Sequence, residues 1–274
     1  MIAFPLRLQP GLNAVTVIAL ALLVSISGTG VVALSGMSQS AQASPGMSLG
    51  YAPQRYKGGI TYGNGVYFAP YAFKIYSQPD TTSPLIGEYR WNPQKPNMTI
   101  DRLNAIGDRT GVAANNLFFS FYPEKSVAML AVTGDNDGGW LEVIYDQAAK
   151  KTGWVQQPDA KAKGAGEPEF LGVYQTWLEF MKLNAKASGV YWLSGVSEYN
   201  RAVRTRDDDA AKLIPLTIMR SVKVRFVRGN WLLVEVLDFE GNTPIGWVRW
   251  RDDDGSLMVF PNITQQHIPI MTGF

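Results

Sequence analysis

Two stretches of this chain share one plan. "GGWLEVIYDQAAKKTGWV" starts at Gly138 and "GNWLLVEVLDFEGNTPIGWVRW" at Gly229. Each opens with Gly-Gly or Gly-Asn before a Trp, runs through an apolar strand and closes on Gly-Trp-Val. A pattern repeated in order constrains the chain to build the same local structure twice. The repeat reaches further upstream. "FKIYSQPDTTSPLI" (Phe73 to Ile86) lines up without a gap on "RAVRTRDDDAAKLI" (Arg201 to Ile214), and "KSVAMLAV" from Lys125 lines up on "RSVKVRFV" from Arg220. The first copy carries an extra stretch near 92–124, where a short helix is expected over Ile100–Ile106.

The strands of each copy follow from period-two patterning. In "WLLVEV", Trp231, Leu233 and Glu235 share one face and Leu232, Val234 and Val236 the other. In "KVRFV", Val222, Val224 and Phe226 alternate with Lys223 and Arg225, which predicts an apolar face and a cationic one. Gly229-Asn230 suits a tight hairpin, and Asp238 to Asn242 reads as a second turn. Gly246 removes a side chain where backbones must pass closely. Between the copies, Phe170, Tyr174, Trp177, Leu178 and Met181 fall at helical spacing, predicting a helix over 167–188 stopped at Gly189.

These features resemble the bacterial SH3-like (SH3b) domain. The residues that carry the resemblance are "AFKIYSQPDTTSPLIGEY" with "GGWLEVIY…TGWV" in the first copy, and "RAVRTRDDDAAKLI" with "RGNWLLVEVLDF…IGWVRW" in the second. The family's apolar-Arg-x-x-Pro opening is split, since Pro79 stands in the first copy and Arg204 in the second. The resemblance implies a mainly β chain of two small antiparallel barrels joined by a helix-containing linker. Its expected divisions are a signal peptide (1–43), an extended lead-in (44–68), a first domain (69–158), a linker and helix (159–189), a second domain (190–262) and a tail (263–274). It also implies binding of a cell-wall peptide or glycan, or of an envelope protein, since family members in exported proteins commonly do this.

The N-terminus reads as a secretory signal. Arg7 precedes the apolar run Ala14 to Val24, no Asp, Glu or Lys occurs in residues 1–43, and Ala41-Gln42-Ala43 suits cleavage before Ser44. Retention of Val15 to Leu34 as an anchor is the alternative, and only then is a membrane a partner. The expected location is periplasmic or secreted. A chain without Cys outside the cytoplasm holds itself together by packing alone. With 25 Lys and Arg against 23 Asp and Glu, the net charge of +2 gives no field for nucleic acid.

Catalytic parts are scarce. There is no Cys, and His267 is the single His, so nucleophilic triads and zinc hydrolysis have little to work with. Asp135–Gly139, Asp207–Asp209 and Asp252–Asp254 read as turns rather than calcium loops. No metal, cofactor or catalytic residue is expected. Trp140, Trp154, Trp231 and Trp247 are assigned to hairpin and core packing, because a barrel this small needs bulky side chains. Trp250 and Tyr145, at strand ends, are the groove candidates. Lys223, Arg225, Arg249 and Arg251 form a candidate basic surface for an anionic partner, against the alternative of a solvated face neutralised by the nearby Asp runs. The expected function is an exported, non-enzymatic binding or scaffolding module of the cell envelope. An accessory factor or inhibitor of a cell-wall enzyme is the second reading, and a carboxylate-based glycan hydrolase the distant third.

Overall fold

Both Trp motifs fold as antiparallel β-hairpins. The computed structural model describes residues 50–263 except 54, 56–61, 95–97, 159–167 and 217–218. The expected signal peptide, much of the lead-in and His267 in the tail lie outside the described residues. In chain order the strands begin with β1 (Gly65–Phe68), β2 (Ala72–Tyr76), β3 (Leu85–Arg90), β4 (Thr99–Leu103) and β5 (Arg109–Ala113). Helix α1 (Ala114–Leu117), β6 (Ser120–Tyr122), β7 (Val127–Asp135), β8 (Trp140–Asp146) and β9 (Lys151–Gln156) complete the first copy. Then come β10 (Tyr174–Thr176), α2 (Trp177–Ser188), β11 (Val190–Trp192) and α3 (Glu198–Arg201). The chain ends with β12 (Met219–Arg228), β13 (Trp231–Asp238), β14 (Ile245–Arg249) and β15 (Val259–Pro261).

The protein is mainly β and its sheets are antiparallel. One sheet runs β10-β1-β7-β8-β9-β2-β3-β4-β5, with β6 on β7; a second is β12-β13-β14, and a third is β11-β15. Among the described residues neither large sheet returns to its first strand. Residues from both copies belong to one continuous core.

The repeat is visible in the pairing itself. Tyr76 pairs with both Leu85 and Trp154; Arg204, aligned with Tyr76, pairs with Leu213 and Trp247. A Cβ on Gly153 would stand 2.5 Å from Ile75, and one on Gly246 2.5 Å from Val203, so both copies use the missing side chain to bring the same neighbours together. Two further segments match once the register is known. "GVYF" of β1 corresponds to "GVYW" at Gly189–Trp192, and "LGVY" ending in β10 to "LMVF" ending in β15. Tyr67 pairs with Tyr174 as Tyr191 pairs with Phe260. One difference between the copies lies at a seam. β1 also pairs with β7, whereas β11 makes no ladder with β12 among the described residues.

Three expectations are corrected. The stretch expected to be helical near Ile100–Ile106 is the β4–β5 hairpin: Thr99 and Ile100 favour a strand, and the Asn104 carboxamide closes the turn by accepting from the Ile106 and Asp108 amides. The helix expected from 167 begins at Trp177, because Gly172 takes a positive φ and Tyr174–Thr176 pairs with β1. Its start is a reciprocal capping box between Thr176 and Glu179, and Gly189 ends it. The third concerns "KVRFV". A β-bulge between Val224 and Phe226 inserts Arg225 into the strand, so Phe226 turns outward, 55% exposed, while Val227 takes the inward position. Copy one has its bulge between Val132 and Gly134. Matching bulges align Val132 with Val224, three residues from the alignment read in the sequence.

Candidate functional site

Several cations of the second copy are paired to carboxylates. The outer face of β12-β13-β14 is a grid of rows: Arg228–Trp231–Arg249, Phe226–Leu233–Trp247, then Lys223–Glu235–Ile245. β13 separates β12 from β14, so Lys223 and Arg225 do not sit beside Arg249 and Arg251. Arg225 is bound to Glu235, and Arg228 to Asp207. Arg249 is buried and pairs with Asp209 at 2.6 Å and with Asp253. Of the four expected cations, Arg249 is thus engaged by two of the Asp runs and Arg225 by Glu235 on the neighbouring strand, through partners that chain distance hides.

The Trp residues divide into several environments. Trp140 is buried with its ring edge-on to Tyr76, and Trp154 is half-buried on β9. Trp231 is half-buried, with the guanidinium groups of Arg204 and Arg249 at 5.6 and 5.7 Å from its ring centre. Trp247 lies under Arg228 at 4.8 Å. Trp250 is 1% exposed, which removes it as a groove wall. Its amide donates to Asn230 O and its indole Nε1 to Gly229 O at 2.8 Å, so it clamps the hairpin tip. Tyr145 packs against the core of the first copy, near Tyr89, whose hydroxyl burial pushes up to about 12.

The hairpin tip held by Trp250 forms one wall of a cleft of about 370 Å³. Gly63 and Asn64, ahead of the first copy, supply another wall, and the turn 251–255 the third. Arg251 ties these pieces together: Nη2 donates to Gly63 O at 3.1 Å and Nε to Gly255 O at 3.0 Å. Burial pulls its guanidinium below the ordinary value, opposed by Asp254. The turn is shaped by its own carboxylates, since Asp254 accepts from the Ser256 amide and Asp252 from the Asp253 amide. Arg251 was legible as a candidate; Asn64 and Asn230 reach the cleft only through tertiary contacts.

The Asp clusters also shape their own turns. Asn136 accepts from the Gly138 and Trp140 amides in the first, and Asp208 from the Ala210 amide in the second. Among the described residues no three His, Cys, Asp or Glu side chains converge as metal ligands. None of the described helices is long and apolar enough to cross a membrane. No family model, curated protein or solved structure matches the chain.

The carboxylates give stability a pH dependence. Hydrogen bonds from Asn242 hold Asp238 below its ordinary value, and the Arg228 and Arg225 side chains do the same for Asp207 and Glu235. A lowered folded value means that the unfolded chain takes up protons first. Their stabilisation is therefore complete above the ordinary carboxylate range and lost as pH falls through about 4 and below. Asp238→Asn is expected to flatten this acid limb, measured as the urea midpoint between pH 6 and 3. An unchanged limb would remove Asp238 from the account.

Proposed function

We propose that the chain is an exported, non-enzymatic binding or scaffolding module of the bacterial cell envelope, built from two divergent SH3-like units, with the Arg251 cleft as its ligand seat. The observation that carries this reading is the chemistry of the cleft wall. A guanidinium, two carboxamides and three carboxylates line it together. Donors and acceptors mixed at this density suit a neutral ligand rich in hydroxyl and amide groups, such as a cell-wall glycan or peptide. Export is supported by the signal-like pattern of residues 1–43 and by the absence of Cys. The SH3-like reading is supported by the repeated hairpins and the equivalent pairings of Tyr76 and Arg204.

The test is sedimentation with purified peptidoglycan. Asn230→Trp places an indole in the mouth of the cleft without entering the core. It is expected to weaken binding about ten-fold or more, since a blocked contact worth ~1.4 kcal/mol is a factor of ten. Wild-type protein that stays in the supernatant would overturn the ligand class. Wild-type binding unaffected by Asn230→Trp would overturn the cleft as its seat.

A further inference from the structure

The outward turn of Phe226 creates a surface that the first copy lacks. Phe226 is 55% and Ile245 58% exposed, and half-buried Leu233 lies between β12 and β14 on the same face. At the equivalent positions the first copy carries Gly134, Glu142 and Thr152, residues that water tolerates. The second copy has therefore replaced a wettable face with an apolar one while keeping the same hairpin. A contiguous apolar patch of this kind on an ordered sheet marks an interface.

We propose that this face pairs with the same face of a second copy of the chain. The rows are self-complementary about a two-fold axis drawn along β13 over Leu233. That operation lays β12 of one copy across β14 of the other. Leu233 then meets its own counterpart, Phe226 meets the partner copy's Trp247, and the aliphatic stem of Lys223 covers the partner copy's Ile245. Each contact off the axis occurs twice, as an isologous interface requires. Sheets packed face to face stand about 10 Å apart, the depth that such side chains fill. Charge agrees with this occupant. The operation sets Glu235 over its own counterpart and Arg228 over the partner copy's Arg249. Each of these charges is already paired within its chain, Glu235 with Arg225, Arg228 with Asp207 and Arg249 with Asp209, which limits like-charge repulsion. An anionic polymer would find Arg225 and Arg228 engaged. Three strands present less than the ~800 Å² per partner of a standard interface, which makes the dimer weak and concentration-dependent.

The chain has no Cys, so a single introduced one reports proximity. In the full chain, Leu233→Cys at the axis is expected to form an oxidised covalent dimer about ten-fold faster than Ile106→Cys, an 83% exposed position of the first copy. Sedimentation velocity should show a dimer growing with concentration, and Leu233→Glu, the residue of the first copy, should weaken it about ten-fold or more. Equal cross-linking rates, a monomer at every concentration, or a dimer indifferent to Leu233→Glu in a folded chain would each overturn the proposal. Should Leu233→Glu fail to fold, the two Cys variants still decide it. This outcome is independent of peptidoglycan binding, because the cleft residue Asn230 is not part of the paired face.

Discussion

Arg204→Ala is expected to destabilise the protein by about 3–5 kcal/mol, the range for removing a buried charged partner and leaving a cavity. Arg204 is 0% exposed. Its guanidinium donates to Ala202 O at 3.0 Å and Tyr199 O at 3.2 Å, and lies over the rings of Tyr199 and Trp231. Truncation removes the guanidinium donor from Ala202 O, leaves Tyr199 O with the Ala202 amide alone, and takes a cation from the ring of Trp231. The ion pair to Asp209 matters less, at 3.9 Å and with Asp209 41% exposed. Lys is a poor substitute, since a single ammonium cannot span both carbonyls while lying flat on an indole. The first copy fills the same socket differently, with Tyr76 edge-on to Trp140 at 5.6 Å. Arg204→Tyr should therefore recover part of the loss. Urea unfolding of the three variants checks this, and a cost below about 1 kcal/mol for Arg204→Ala would mean that the guanidinium is not what fills the socket.

That socket shows what was readable in the sequence. Its backbone was legible, because Gly246, the Trp strands and the aligned run to Ile214 are short-range signals, each set by a turn or a close approach. The occupant was not, because nothing within the segment says that Arg204 stays inside. The same division runs through the second sheet. The alternation in "WLLVEV" holds along all of β13, whereas that in "KVRFV" fails at Arg225. A bulge adds one residue to a strand and reverses every later side chain, and no residue type in the run announces it.

The candidate basic surface is divided between two strands and partly paired for a related reason. Arg249 and Asp209 are 40 residues apart in sequence and 2.6 Å apart in space. The Asp runs beside the cations were visible, and so was the alternative of neutralisation; which carboxylate meets which guanidinium depends on the strand order β12-β13-β14. Trp250 was misread because a strand end was taken to be a surface. Here β14 ends at Arg249 and the next residue turns inward to clamp the hairpin. The four-residue matches "GVYF" with "GVYW" and "LGVY" with "LMVF" became meaningful only through shared register, being too short to stand out alone.

Trp177 tests whether the two copies fold as one. It opens α2 immediately after the Thr176 cap, is 1% exposed, and its indole Nε1 donates to Tyr62 O at 3.0 Å and Gly63 O at 3.1 Å. Its ring meets Phe119 from the first copy, Phe180 from its own helix and Phe260 from β15 of the second. One side chain thus touches all three parts of the core. Trp177→Ala is expected to cost about 3–5 kcal/mol, through lost burial, the cavity left behind and the loss of the indole hydrogen bonds to Tyr62 O and to Gly63 O, which keeps only Arg251. The shape of the transition matters more than its size. Independent barrels on a passive linker would unfold in two steps, with Trp177→Ala shifting neither strongly. A shared core gives one cooperative step followed alike by every probe. Fluorescence of Trp140 and of Trp231, each isolated by replacing the other Trp residues with Phe where the fold tolerates it, reports the copies separately. Coincident midpoints that move down together in Trp177→Ala are expected. Midpoints that separate, one moving and one staying, would show two units that fold apart and confine α2 to a tether.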